Sequence, residues 1–339
     1  MKQAPRIGML PSGPLDAISD VAGVTVGHCT LADGDVQTGV TVVRPHQGDP
    51  FRERVPAAAA VINGFGKSIG LVQVEELGVL ETPIALTNTF SVAAVAQAQI
   101  RACISSNPET GRRLPTVNPL VFECNDGYLN DIQRLAITEP HYLQALAAAD
   151  VRFEQGSVGA GRGMSSFGLK GGIGSASRCC GKYRVGALVL ANYGRPEQLT
   201  IAGQLIGDLQ AGAQTQADSG PEKGSIIMLL ATDAPLDARQ LRRLALRAGA
   251  GLARTGSVFG HGSGDIALAF STAYTLPQDP LRPMPAVALL HDARLDELFQ
   301  AAADSTEQAI VHALFRAEAV TGRAGHHRAA LSDLLKTRP

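Results

Sequence analysis

From Ile18 to Pro45, β-branched residues alternate with glycine and polar residues, first in ISDVAGVTVGHCTL and again in GVTVVRP. A period of two predicts half-buried strands joined by a hairpin. Ala57 to Asn63 (AAAAVIN) reads as a buried strand, a helix is expected over Lys67 to Gly78, and Ala93 to Ser105 carries apolar residues at helical spacing. The stretch Phe153 to Gly186 holds too much glycine for a helix and is expected to form paired strands with bulges. Tyr183 to Asn192 (YRVGALVLAN) is a strong strand that stops at Asn192. Ala211 to Gly224 is polar and without period, which predicts an exposed, cleavable loop. Polarity then inverts: Ser225 to Thr232 (SIIMLLAT) is among the most apolar runs, and it begins at a serine.

Ala238 to Ala253 sets Leu241, Leu244, Ala248 and Leu252 on one face and Arg239, Arg242, Arg243 and Arg247 elsewhere, the pattern of an amphipathic helix. Ile266 to Thr272 predicts another buried strand, and Leu295 to Ala319 the longest helix. Strands alternating with helices predict a layered α/β (α+β) architecture over residues 1–339, with no internal repeat and no boundary except the loop before Ser225.

Composition narrows the function. The chain has 30 basic and 31 acidic residues, a net charge of −1 and no basic stripe, which argues against nucleic-acid and membrane partners and for a small neutral or zwitterionic substrate. Five cysteines show no metal-ligand spacing, so no metal or other cofactor is expected, and the thiols are expected to be reduced and mostly buried. The first residues, MKQAPRIGMLPSGP, lack an apolar run long enough for a signal peptide, and no stretch reaches the length of a membrane span, which points to the cytoplasm. With 37 glycines and no tryptophan, the core is expected to be Ala, Val, Leu and Ile packed in close layers.

Several positions could carry chemistry. A serine that follows a polar loop and opens an apolar strand, as Ser225 does after Gly224, is where a self-processing nucleophile would sit; the same dipeptide also reads as ordinary turn punctuation. A preceding glycine would permit a strained backbone at the junction. Ser263 and Asp265 stand two apart before a strand, on one face if the strand extends back, or else in a turn. His261 beside them suggests a triad, but neighbours in sequence rarely have triad geometry, so it is read as structural or surface. Asn192 at its strand end could donate to an oxyanion or simply occupy a turn. Glu123, in NPLVFECNDGYLND, could bind a substrate ammonium or be an ordinary strand-end carboxylate, and Asp126, Tyr128 and Asp131 could line the same wall. Gly64 to Ser68 looks like a phosphate loop but has Val61 where that motif needs glycine, and Gly159 to Gly163 fits no dinucleotide fingerprint.

Six blocks in order, LDAISDVAGVTVGH, ECNDGYLND, VLANYG, GSIIMLLATDAP, GLARTGSV and GHGSGDIALAFST, resemble the P1-family peptidases, the group of L-aminopeptidase/D-esterase (DmpA-type) and β-peptidyl aminopeptidases. The resemblance implies an αββα sandwich like that of N-terminal-nucleophile hydrolases, and a precursor cut into an α chain (1–224) and a β chain (225–339) that assemble as homo-oligomers of αβ units. It implies the nucleophile at Ser225, the oxyanion donor at Asn192, a supporting hydroxyl and acid at Ser263 and Asp265, and the substrate-amine carboxylate at Glu123; Tyr128, near Glu123 in the chain, is read from the residues alone as a substrate contact. Asp265 in place of the Glu of some β-peptidyl members points toward the aminopeptidase/esterase side. The implied substrates are small peptides, amides or esters. Aminohexanoate-oligomer amidases, an acyltransferase using the same acyl-enzyme and an uncut scaffold stay open as alternatives.

Overall fold

The alternation at the start of the chain closes a hairpin in which β1 (Thr25–Asp33) runs antiparallel to β2 (Val36–Arg44), Thr25 opposite Arg44. The computed structural model describes residues 3–206 and 223–336. Strands β4 (Ile84–Asn88) and β5 (Val121–Cys124) extend the hairpin into a four-stranded sheet of order β1-β2-β4-β5. A second, larger sheet holds β3 (Glu53–Gly64), β6 (Gly172–Cys180), β7 (Tyr183–Asn192), β8 (Lys223–Thr232) and β9 (Gly262–Ser271) in the order β3-β9-β8-β7-β6. Two short strands, Val79–Leu80 and Leu276–Pro277, pair with β3 and complete its seven strands.

Alternation along each strand sorts the core. On β8, Ile226, Met228 and Leu230 face helices α4 (Ala238–Arg254) and α5 (Asp296–Phe315), whereas Ile227, Leu229 and Ala231 face the smaller sheet. The smaller sheet meets them with Val26, Val43, Ile84, Leu86 and Phe122, and turns Val40, Val42, Ala85 and Val121 outward against α2 (Val92–Ser106) and α3 (Glu139–Ala147). The layers therefore run helix, sheet, sheet, helix, the αββα order the resemblance implied. Each fully buried Ile or Leu in these layers contributes roughly 1.5–3 kcal/mol. The large sheet takes β3, β6 and β7 from before residue 224 and β9 from after it, with β8 spanning the junction.

The amphipathic stretch forms α4, started by Asp237, whose carboxylate accepts from Gln240 N at 2.7 Å. Its buried face holds the four predicted residues, with Gln240, Ala245, Gly249 and Gly251 added. Helix α5 ends at Phe315, four residues short of the expectation. The helix expected from Lys67 begins only at Leu71 (α1, Leu71–Leu77), because Ile69 gives its backbone N–H and C=O to Val121 and Gly70 has φ of 96°. Of the paired strands expected over 153–186, β6 forms in full and pairs antiparallel with β7 from Tyr183 to Ala191; before it, the chain makes a 3-10 turn at Gly159–Gly161 and a short hairpin of Ser165–Ser166 with Leu169–Lys170. Glycine lets that segment pack tightly: a Cβ at Gly161 would lie 2.5 Å from Ile173 N. Cys124 and Cys180 are buried, whereas Cys29, Cys103 and Cys179 are only partly so, fewer buried thiols than expected. Among the described residues no helix is long and apolar enough to cross a membrane. Most of the loop expected at 211–224 lies outside the described residues; Gly224 itself is in β8.

Candidate active site

Backbone register brings the serine and its expected neighbours to one end of the large sheet. β7 pairs antiparallel with β8 so that Asn192 lies opposite Ser225. β8 pairs in parallel with β9 so that Gly224 lies opposite Ser263 and Ser225 opposite Gly264. The strand does extend back past Ile266, so Ser263 and Asp265 share a face, and the Ser263 hydroxyl donates to Asp265 Oδ1 at 2.6 Å. Both are buried.

Ser225 Oγ accepts from Gly264 N at 3.2 Å and donates to the Gly224 carbonyl oxygen at 2.7 Å. The hydroxyl thus rests against the carbonyl of the peptide bond it would have to attack. Glycine is required on both sides of it by space. A Cβ at Gly224 would stand 2.7 Å from Asn192 O and from Tyr193 Cα, and one at Gly264 would stand 2.8 Å from Phe65 O and 3.1 Å from Ser225 Oγ. Gly224 does not have a positive φ, so close approach, and not the strained backbone expected from the sequence, explains this glycine.

Asn192 is held from three directions. Its Oδ1 accepts from Ser165 N at 2.8 Å, and one Nδ2 hydrogen goes to Asn125 O at 3.0 Å; an amide carries two such hydrogens. The next residue, Tyr193, is buried with its ring edge-on to Phe167 and its hydroxyl 2.7 Å from Thr255 Oγ1. That hydroxyl is engaged with α4's end, so the strand terminus carrying Asn192 is anchored.

Glu123 reaches the same region from the small sheet. It is buried at the end of β5, where Oε1 accepts from Lys67 N at 2.7 Å and Oε2 accepts from the Thr89 hydroxyl. A methyl at Gly66 would lie 3.6 Å from Glu123 Oε1 and 3.9 Å from Gly264 Cα, so only the loop Gly64–Ser68 separates the carboxylate from the strand beside Ser225. That loop is the one whose glycines imitate a phosphate loop. Its place here went unread because nothing local in its sequence links it to Glu123.

Tyr128 is partly exposed, stacked on His326 with ring centroids 4.6 Å apart and covered by the Arg328 guanidinium at 3.6 Å. Arg328 Nε also donates to Ser165 Oγ at 3.2 Å, which ties Tyr128 to the residue that holds Asn192. Asp126 and Asp131 do not line the wall. Asp126 is buried, and burial pushes its carboxyl up to about 7 against hydrogen bonds from Thr38 and Asn130 that favour the charge. Asp131 pairs with Arg134 at 3.0 Å. His261 is exposed with its ring tilted against Phe65, as its reading as a surface residue requires. Burial also drives the Cys124 thiol well up, which keeps it protonated and unreactive beside Glu123.

Three cavities, of about 430, 290 and 590 Å³, open elsewhere, and none is lined by Ser225, Asn192, Ser263, Asp265 or Glu123.

The model of peptidase family S58 matches residues 16–328. The chain belongs to peptidase family S58. It is a hydrolase, an aminopeptidase. It is 38% identical over 335 residues to the β-peptidyl aminopeptidase BapA of Sphingosinicella xenopeptidilytica, a match spanning 91% of this chain and 83% of that protein. Among solved structures it is similar to a Burkholderia sp. β-aminopeptidase (TM-score 0.89, 40% identity, 98% of each chain). It is similar as well to the L-aminopeptidase D-Ala-esterase/amidase of Ochrobactrum anthropi (TM-score 0.90, 34% identity, 99% of this chain and 96% of that one). The latter is described as a variant of the Ntn-hydrolase fold, in agreement with the layer order found here.

Proposed function

We propose that this S58 aminopeptidase matures by cutting its own backbone between Gly224 and Ser225 and then uses Ser225 as an acylated nucleophile on small peptides, amino-acid amides or esters. The observation that carries the reading is the Ser225 hydroxyl, 2.7 Å from the Gly224 carbonyl oxygen, on a strand end paired with Asn192. In the first step the Ser225 oxygen adds to the Gly224 carbonyl carbon, the C–N bond breaks, and the hydroxyl proton passes to the departing amine. Water then hydrolyses the resulting ester, leaving a carboxylate on Gly224 and a free α-amine on Ser225.

That amine, with an ordinary pKa of about 8, can accept the proton of its own hydroxyl near neutral pH. The Ser263 and Asp265 pair, next to the junction through the register of Gly224 with Ser263, orients the amine and through it polarises the nucleophile. In turnover Ser225 attacks the substrate carbonyl, the remaining Asn192 amide hydrogen stabilises the oxyanion, the leaving amine takes the proton, and water releases the acyl group. Glu123 receives the substrate's ammonium group. The β-peptidyl relatives make a β-amino-acid acyl group a second substrate class to assay beside α-amino-acid amides.

The test is an intact mass spectrum of wild-type protein beside Ser225→Ala. Two wild-type fragments summing to the chain plus one water, the smaller beginning at Ser225 and both absent from the variant, are expected. A single uncut wild-type chain that still hydrolyses amino-acid amides overturns the self-processing mechanism.

A further inference from the structure

Behind Glu123 runs a chain of buried hydrogen bonds whose direction is fixed at both ends by backbone donors. Asn88 Oδ1 accepts from the Phe90 and Ser91 amides, both at 3.1 Å, so its Nδ2 must face Thr38, to whose oxygen it donates at 2.8 Å. The Thr38 hydroxyl therefore donates onward, to Asp126 Oδ2 at 2.6 Å. From the other side, Asn130 Oδ1 accepts from Gln37 N at 3.1 Å, which turns Asn130 Nδ2 to Asp126 Oδ1 at 3.0 Å. Both oxygens of Asp126 are acceptors. Asn88 in turn caps the 3-10 turn Thr89–Ser91, and the Thr89 hydroxyl donates to Glu123 Oε2.

We propose that Asp126 is a positioning residue for substrate amine recognition: through Thr38 and Asn88 it fixes the turn that presents Thr89, and Thr89 holds the Glu123 carboxylate in place. The proposal rests on the reading that Glu123 receives the substrate ammonium. Asp126 contacts no substrate. Its carboxylate is the sink that lets Thr38 accept from Asn88, so the amide cannot flip and release the cap. An amide at position 126 would set an NH2 against a donor whichever way it turned. The three residues sit on β2, at the end of β4 and in the turn after β5, so they lock the strand ends of the small sheet to one another where Glu123 emerges.

The test compares Thr38→Val, Thr38→Ser, Thr89→Val and the Thr38→Val/Thr89→Val double variant. Each is assayed on an amino-acid p-nitroanilide and on p-nitrophenyl acetate, which lacks the amine, and Ser225 is counted with a fluorophosphonate probe. Thr38→Val is expected to raise KM for the anilide about tenfold with kcat changed less than about threefold. Thr38→Ser restores it, p-nitrophenyl acetate shows no comparable change, and the double variant is no worse than Thr89→Val alone. Equal losses on both substrates, or additive losses in the double variant, overturn the relay. If Thr38→Val is insoluble, Asp126→Asn combined with Thr89→Val puts the same question, and additivity again overturns it. Failure of the probe to label wild-type Ser225 removes the underlying site reading instead.

Discussion

The two halves of the site are held by different means. At the end of the large sheet, Ser225, Asn192 and Ser263 are set by backbone pairing: three adjacent strands in continuous register leave each residue one position it can occupy. At the end of the small sheet, Glu123 lies in register with Thr87, but its carboxylate is set by a side chain and one loop amide, from residues 89 and 67, with Thr38, Asn88 and Asp126 behind them. The register-held half supplies bond-making groups, whose positions must be accurate to a fraction of an ångström. The half held by side chains supplies charge recognition, which tolerates more play.

Substitutions in the first half should therefore reduce turnover most. In the processed enzyme, Asn192→Ala is expected to lower kcat by roughly 10²–10³-fold with little change in KM, the size of effect that follows loss of one oxyanion donor. Steady-state kinetics with an amino-acid amide decide it; a loss below about tenfold would assign the oxyanion to another donor. Gly264→Ala comes next. Its Cβ would sit 2.8 Å from Phe65 O and 3.1 Å from Ser225 Oγ, so the strand or the hydroxyl must shift, and a decrease of about 10–100-fold in both cleavage rate and turnover is expected. Gly66→Ala, whose nearest neighbour would be Ile266 Cδ1 at 3.4 Å, is the matched control and should remain near wild type. Equal behaviour of the two glycine variants would break the distinction between the halves.

The same division explains what could be read from the sequence. Short apolar runs delivered β7 to its terminal residue and β8 to within two residues of its start, because a bounded apolar run is a local signal. Once those strands are drawn, Asn192 and Ser225 are strand ends, and the Ser263/Asp265 pairing needs only that β9 begin earlier than its apolar run. What holds Glu123 was not legible: Lys67 contributes a backbone amide, which no side-chain pattern announces. Thr38, Asn88 and Asp126 lie on separate segments and meet only through the fold. The helix expected from Lys67 failed for a related reason, since Ile69 gives its backbone N–H and C=O to Val121, a long-range contact, and Gly70 takes a left-handed φ. The order of the two sheets came from the six-block resemblance and could not have come from periodicity.

Glu123→Gln tests the softer half directly. The amide keeps the shape and an acceptor for Lys67 N but loses the charge, and its NH2 obliges the Thr89 hydroxyl to accept where it now donates. KM for amine-bearing substrates is expected to rise about tenfold while kcat falls less, and fluorophosphonate labelling of Ser225 should be unchanged. A kcat loss as large as that of Asn192→Ala would merge the two halves into one positional unit.

The smallest effect expected is on stability in acid, and it also separates the sheets. His28 on β1 has Nε2 against the Glu154 carbonyl at 3.0 Å, so that nitrogen carries the hydrogen, and Nδ1 accepts from the Thr41 hydroxyl at 2.9 Å. Thr41 Oγ1 already accepts from Ala160 N at 3.1 Å, so its proton is committed to the ring. Burial lowers the His28 pKa from 6.5 to about 4, partly opposed by the bond to Glu154. Because the folded value is the lower one, the unfolded chain takes up the proton first. The contribution of neutral His28 is complete above pH 6.5 and is lost as the pH falls from there toward 4. His28→Gln can keep both hydrogen bonds without titrating, so its thermal midpoint should drop about 2–4 °C less than that of wild type between pH 7 and pH 4.5. In wild type over the same interval, amide exchange should accelerate in β1 and β2 before it does in β7, β8 and β9. Simultaneous acceleration would mean that the two sheets open as one unit and that the small sheet's looser hold on Glu123 is not matched by a lower local stability.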